Sequence, residues 1–149
     1  MVKWLALAIR IAIGAAFVYA GIIKLQDPSE FAINIASFQI LPNFLISPMA
    51  LALPPFEIIC GALLIAGVWR RAAALGIVVL LTVFLIAIAA ALARGLTIDC
   101  GCFGTGTPSR ARMWLDLGRD ALLLGGALIA YGYGGYPPVR SSRTLASAA

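Results

Sequence analysis

Apolar residues fall into four long runs, broken by short polar stretches: about Trp4 to Ile23, Pro48 to Val68, Ala72 to Ala93 and Trp114 to Tyr133. A helix rises 1.5 Å per residue, so roughly 20 apolar residues cross the ~30 Å of hydrocarbon in a bilayer. Unpaired backbone groups are too costly in lipid, so each run is predicted to be a helix. The pattern therefore predicts an all-α integral membrane four-helix bundle. Between the first two runs, Asp27-Pro28-Ser29-Glu30 is a helix start: Asp27 can cap, Pro28 fits the first turn, and Glu30 suits the N-terminal dipole. Phe31, Ile35 and Phe38 then recur at helical spacing as far as Pro42. A short amphipathic helix at the membrane surface is expected there, against the alternative of an ordered loop with apolar anchors. The second run contains Pro54-Pro55. Either that helix starts there, or it starts near Pro48 and kinks, freeing the carbonyls of Ala50 and Leu51.

Composition agrees with lipid as the solvent. Of 149 residues, 62% are hydrophobic and 11% charged, whereas a soluble chain is about one quarter charged. The net charge of +5 punctuates the apolar runs instead of forming a stripe, which argues against nucleic acid. There is no histidine, which excludes a His-ligated metal and any Ser-His or Cys-His pair. The turn Trp69-Arg70-Arg71, with Lys3, Arg140 and Arg143, places both termini in the cytoplasm of a cytoplasmic (inner) membrane protein. The first run reads as a retained helix, with a signal anchor as the alternative. Residues 1–138 form one domain, and 139–149 are expected to be a disordered tail.

This topology puts Asp99-Cys100-Gly101-Cys102-Phe103-Gly104 outside the cytoplasm, where disulfides persist. Cysteines two residues apart can meet the Cα separation of about 4.4–6.8 Å that a disulfide requires. The small ring is strained, hence labile and oxidising. Gly101 permits the turn, and Asp99 either works against the thiolate or serves as a local proton acceptor. Arg94, Arg110 and Arg112 lie nearby in sequence and would favour the thiolate. Incidental small residues, or a copper(I) or zinc site completed by a partner's ligands, are the alternatives. Cys60, within the second run, reads as a small hydrophobe.

Ionisable residues inside apolar runs are functional candidates. Glu57 lies about 13 Å along the second helix. Arg119, Lys24 and Arg10 are its candidate partners. Asp116, Arg119 and Asp120 share one helix face. Two readings stand for that face: a buried ion-pair network that fixes helix register, or a polar pocket beneath the cysteine loop that binds a quinone headgroup or passes protons.

Four segments together resemble the MauE/DoxX group of redox-associated membrane proteins, in its MauE-like branch: Gly21-Ile-Ile-Lys24-Leu-Gln-Asp27-Pro28, Pro54-Pro-Phe-Glu57, the cysteine motif, and Arg119-Asp120. The resemblance implies a layout similar to that of DsbB and the vitamin K epoxide reductases. It also implies a thioredoxin-like extracytoplasmic partner. The chain departs from the reductases in having Cys-x-Cys in place of Cys-x-x-Cys, and no second thiol pair. The expected function is a membrane thiol:disulfide oxidoreductase acting through Cys100 and Cys102, with electrons passing to a quinone near Glu57, Arg119, Asp116, Asp120 and Lys24. A copper(I)-binding module or an accessory subunit of a membrane complex is the rival.

Overall fold

The computed structural model describes residues 2–98 and 109–133, all of whose regular structure is helical. Five helices follow in order: α1 (Val2–Gln26), α2 (Pro28–Ser37), α3 (Asn43–Ala66), α4 (Arg70–Ala93) and α5 (Arg110–Tyr133). The cysteine motif 99–104 and the tail 139–149 lie outside the described residues.

Three helices, α1, α3 and α4, are long and apolar enough to cross a membrane. The fourth expected span forms a helix of 24 residues as well. Its first half carries Arg110, Arg112, Asp116, Arg119 and Asp120, so it lacks the continuous apolar character of the others. Large apolar side chains cover the outside of the molecule, among them Leu51, Ile86 and Leu122. In water such a surface would aggregate; in lipid it is a matched solvent.

Each long helix packs on two other long helices. α1 packs on α3 and α5, and α4 on α3 and α5. The paired residues show that adjacent helices run antiparallel. Along α1 and α3, Gly14 faces Gly61, and Gly21 faces Pro54 and Ile58. The backbones touch along this seam: a Cβ on Gly14 would lie 2.8 Å from the Gly61 carbonyl oxygen, and one on Gly61 would lie 2.6 Å from the Gly14 carbonyl oxygen. Small residues permit this approach where the hydrophobic effect cannot drive helices together. On α4, Gly76 leaves room for the Cys60 sulfur, which would stand 2.9 Å from an added Cβ. Cys60 is buried in the apolar core, as a small hydrophobe would be.

α3 begins five residues before the expected Pro48, and Pro48, Pro54 and Pro55 all lie inside one helix. The expected α2 forms as read. Asp27 caps it by accepting the Glu30 N–H at 3.0 Å, and Ser29 Oγ donates to the same oxygen at 3.0 Å. These bonds favour the charged form and hold the Asp27 carboxyl below the ordinary carboxylate range. Phe31 and Ile35 bury their side chains against Ala50 of α3. After α2 the chain turns through Gln39, whose φ of 51° is the left-handed region. Arg94 at the end of α4 secures this turn, donating to the Phe38 carbonyl at 3.1 Å and to Gln39 Oε1 at 3.3 Å.

Candidate functional site

Three of the expected ionisable residues converge inside the bundle. Lys24, Glu57 and Asp120 are buried on α1, α3 and α5. Lys24 sits near the end of α1, and helical side chains lean toward their own N-terminus. Its amine therefore reaches back along α1 toward Glu57 on the facing α3. Lys24 Nζ donates to Glu57 Oε1 at 2.6 Å and Oε2 at 2.9 Å. Of the three candidate partners for Glu57, the fold selects Lys24. Arg10 lies at the other end of α1, where it reaches Ile65. Arg119 turns to its own helix, binding Asp116 at 3.0 Å and Asp120 at 3.0 Å.

Aromatic faces complete the surroundings of Lys24. Its Nζ lies 5.0 Å from the ring centroids of both Phe31 and Phe84. A desolvated ammonium between two rings gains about 2 kcal/mol or more from each quadrupole. No pattern in the sequence marked these rings. Phe84 stands in an unbroken apolar run, and Phe31 reads as an anchor of α2.

A cavity of about 20 Å³ adjoins these charges, lined by Phe17, Ala20 and Lys24 from α1, Glu57 from α3, Phe84 from α4 and Asp120 from α5, with Leu81 and Leu123. That volume holds one water. All four long helices contribute to it. The carboxylates of Glu57 and Asp120 and the ammonium of Lys24 thus meet around one small void whose lining is otherwise apolar.

A second apolar cluster adjoins the cavity at Phe84. Besides facing Lys24, Phe84 packs there against Phe38, Ile88, Ala91, Ile98 and Met113. Ile98 and Met113 flank the connection from α4 to α5. The Ile98 N–H donates to Met113 Sδ at 3.5 Å, and Ser109 caps α5 by accepting the Arg112 N–H at 3.2 Å. The two ends of the cysteine-bearing segment are therefore pinned over buried apolar side chains. Met113 is itself buried, with its sulfur engaged by Ile98. Cys100, Cys102, Asp99 and Gly101 fall outside the described residues. Among the described residues no group of acidic, cysteine or histidine side chains could hold a metal.

A model of the family described as methylamine utilisation protein MauE matches residues 2–132. Among curated proteins, the chain is similar to methylamine utilization protein MauE of Methylorubrum extorquens, with 40% identity over 121 residues, 80% of this chain and 63% of the relative. The protein of the same name from Paracoccus denitrificans is 36% identical over 129 residues, covering 86% of this chain and 67% of the relative. In Methylophilus methylotrophus the likeness is 40% over 84 residues, covering 56% and 44%. The chain spans about two thirds of the length of the first two relatives. No solved structure matches. Because the family match runs from the first helix through the last, across both halves of the buried charge cluster, the chain belongs to the MauE family of membrane proteins.

Proposed function

We propose that this protein is a redox-associated membrane component of methylamine utilisation, acting as a thiol:disulfide oxidoreductase through Cys100 and Cys102. The observation that carries the reading is the Cys-Gly-Cys motif in the segment between α4 and α5, whose ends are anchored at Ile98 and Met113. We place α5 as a fourth span, its charged face turned inward at Asp120, in a layout like that of DsbB and the vitamin K epoxide reductases. The arginine turn at Arg70-Arg71 and both termini face the cytoplasm of the inner membrane, and the thiols face outward.

The reaction is exchange. A thiolate of an extracytoplasmic thioredoxin-like partner attacks one sulfur of the Cys100–Cys102 disulfide, and the other sulfur leaves as a thiolate. The partner's second thiolate then attacks the mixed disulfide. The partner ends oxidised, and Cys100 and Cys102 end as two thiols holding its two electrons. Exchange is reversible, so the same pair delivers electrons outward when reduced. The proposed electron acceptor is a quinone, for which Lys24 and Arg119 offer hydrogen-bond donors. The cavity of about 20 Å³ would have to widen to take a ring.

Single Cys100→Ala and Cys102→Ala variants test this in native membranes. One of them should accumulate a mixed disulfide with a periplasmic thiol protein, visible as a reducible band shift. If neither traps a partner, the exchange reading falls.

A further inference from the structure

The shortest helix of the fold covers the Lys24–Glu57 pair on one side. Phe31 of α2 and Phe84 of α4 hold the ammonium between their rings, each centroid 5.0 Å from Nζ. The two rings are therefore the lips of a slot between α2 and α4 that ends at the ammonium. α4 is a helix of 24 residues packed along α3 and α5, and it cannot shift without disturbing the bundle. α2 has 10 residues and, among the described helices, packs on α3 and α1 alone. Of the two lips, Phe31 is the movable one.

The ends of α2 suit a movable element. One residue, Asp27, joins it to α1, in a non-helical conformation with φ of −137° and ψ of 81°. The Asp27 carboxylate caps α2 through the Glu30 N–H, so helix and cap move as one unit. This joint lies just past Lys24. A rotation there carries Phe31 away and leaves Lys24 in place on α1. Hinges are a few element-terminal residues that absorb such a change in φ and ψ. At its other end α2 leads into Gln39, a non-glycine residue held in the left-handed region at a φ of 51°. Arg94, which ends α4, holds that turn: Nη1 donates to the Phe38 carbonyl at 3.1 Å and Nη2 to Gln39 Oε1 at 3.3 Å. Phe38 also packs with Ile88 and Ala91 of α4. The closed position of α2 is thus tied to α4 at its far end, by a guanidinium that is exposed and whose bonds water can replace.

The outside of this element is apolar. Ile33 of α2 is 68% exposed, and Ile40 and Phe44 beyond it are 52% and 76% exposed. Such side chains settle at the boundary between headgroups and acyl chains. A molecule that passes α2 therefore comes from the lipid.

We propose that α2 is a hinged lid over Lys24 and Glu57, latched to α4 by Arg94, and that its opening admits a lipid-soluble molecule with a hydrogen-bond-accepting head to the ammonium. A quinone has such a head, but the lid opens with or without one, and it does not rest on the thiol chemistry.

The test is the rate at which N-hydroxysuccinimidyl acetate acylates Lys24 in the full chain in lipid nanodiscs, with no quinone added, read by mass spectrometry of peptides. Lys3 is the only other lysine and serves as the internal reference. In the unaltered protein Lys24 should react far more slowly than Lys3. Arg94→Gln should speed Lys24 about tenfold, the loss of one hydrogen bond from a charged group, and leave Lys3 unchanged. Arg94→Lys keeps the charge without the fork and should fall between. Cys60 is buried in the core and reports opening of the whole bundle, so its alkylation should be no faster in either variant. Equal rates at Lys3 and Lys24 in the unaltered protein would overturn the lid, as would an unchanged Lys24 rate in both variants. A Lys24 rate that rises only in step with Cys60 alkylation would overturn it in favour of unfolding of the bundle.

Discussion

Lys24 and Glu57 form a pair whose members depend on each other. Removing one partner strands a buried charge and costs about 3–5 kcal/mol, whereas replacing both with apolar residues of similar size is often neutral. Glu57→Gln should therefore lower stability in micelles by several kcal/mol, measured by denaturant titration, and Lys24→Met/Glu57→Leu should recover most of it. If the recovered double variant also fails to oxidise its partner, the pair serves the chemistry as well as the fold. Asp27 supplies a pH dependence of known sign. Its folded pKa lies below the unfolded value, so its contribution is present above the unfolded pKa and lost as pH falls through the folded one. Amide exchange in α2 should quicken across that acid window, and Asp27→Asn should abolish the dependence. These ionisable residues were legible in the sequence, because any charge in an apolar run stands out. Their pairing was not: Glu57 had three candidate partners, and only the register of α1 on α3 decides among them. Phe84 was invisible, since a phenylalanine among leucines and isoleucines carries no mark of what it will face.

Among the helices, the seam between α1 and α3 is the least tolerant of change. Gly14→Val places a branched side chain where the Gly61 carbonyl already lies, and overpacking of this kind costs about 1–3 kcal/mol. Gly118 of α5 has open space around its Cα, so Gly118→Ala should be neutral or should stabilise by about 0.5–1 kcal/mol, the entropy cost of a helical glycine. The same unfolding measurement separates the two. All five helices were readable from periodicity and length, and α2 from its capping residues as well. The start of α3 was not, because Pro48 and Pro54-Pro55 look like boundaries. In the fold, packing on α1 and α2 carries the helix through all three prolines. The glycines of the seam gave no signal either, since a glycine in an apolar run reads the same whether it meets a backbone or lipid.

For the molecule as a whole, the neighbour relations put one small void, bordered by three charged side chains, where four helices meet. Cys60 lies in the apolar core with Phe17 and Leu81, packed on Gly76. Cys60→Ala should therefore leave the capture of a partner by Cys100 or Cys102 unchanged in the trapping assay. A loss of capture in that variant would move the exchange chemistry into the bundle. The bundle's neighbour order was foreseeable only as far as short connections force hairpins. The closure of α5 on α1 depends on residues such as Gly126 and Ile13, whose contact no local pattern announces.

The ion pair also constrains how the chain is made. Lys24 precedes Glu57 by 33 positions, so it leaves the ribosome well before its counter-charge exists. Until α3 arrives, α1 must keep its amine at the water boundary, snorkelling on its long stem. The first hairpin therefore sinks to its final depth only when both halves can be inserted together, and synthesis halted before Glu57 should leave α1 shallow and open to proteases.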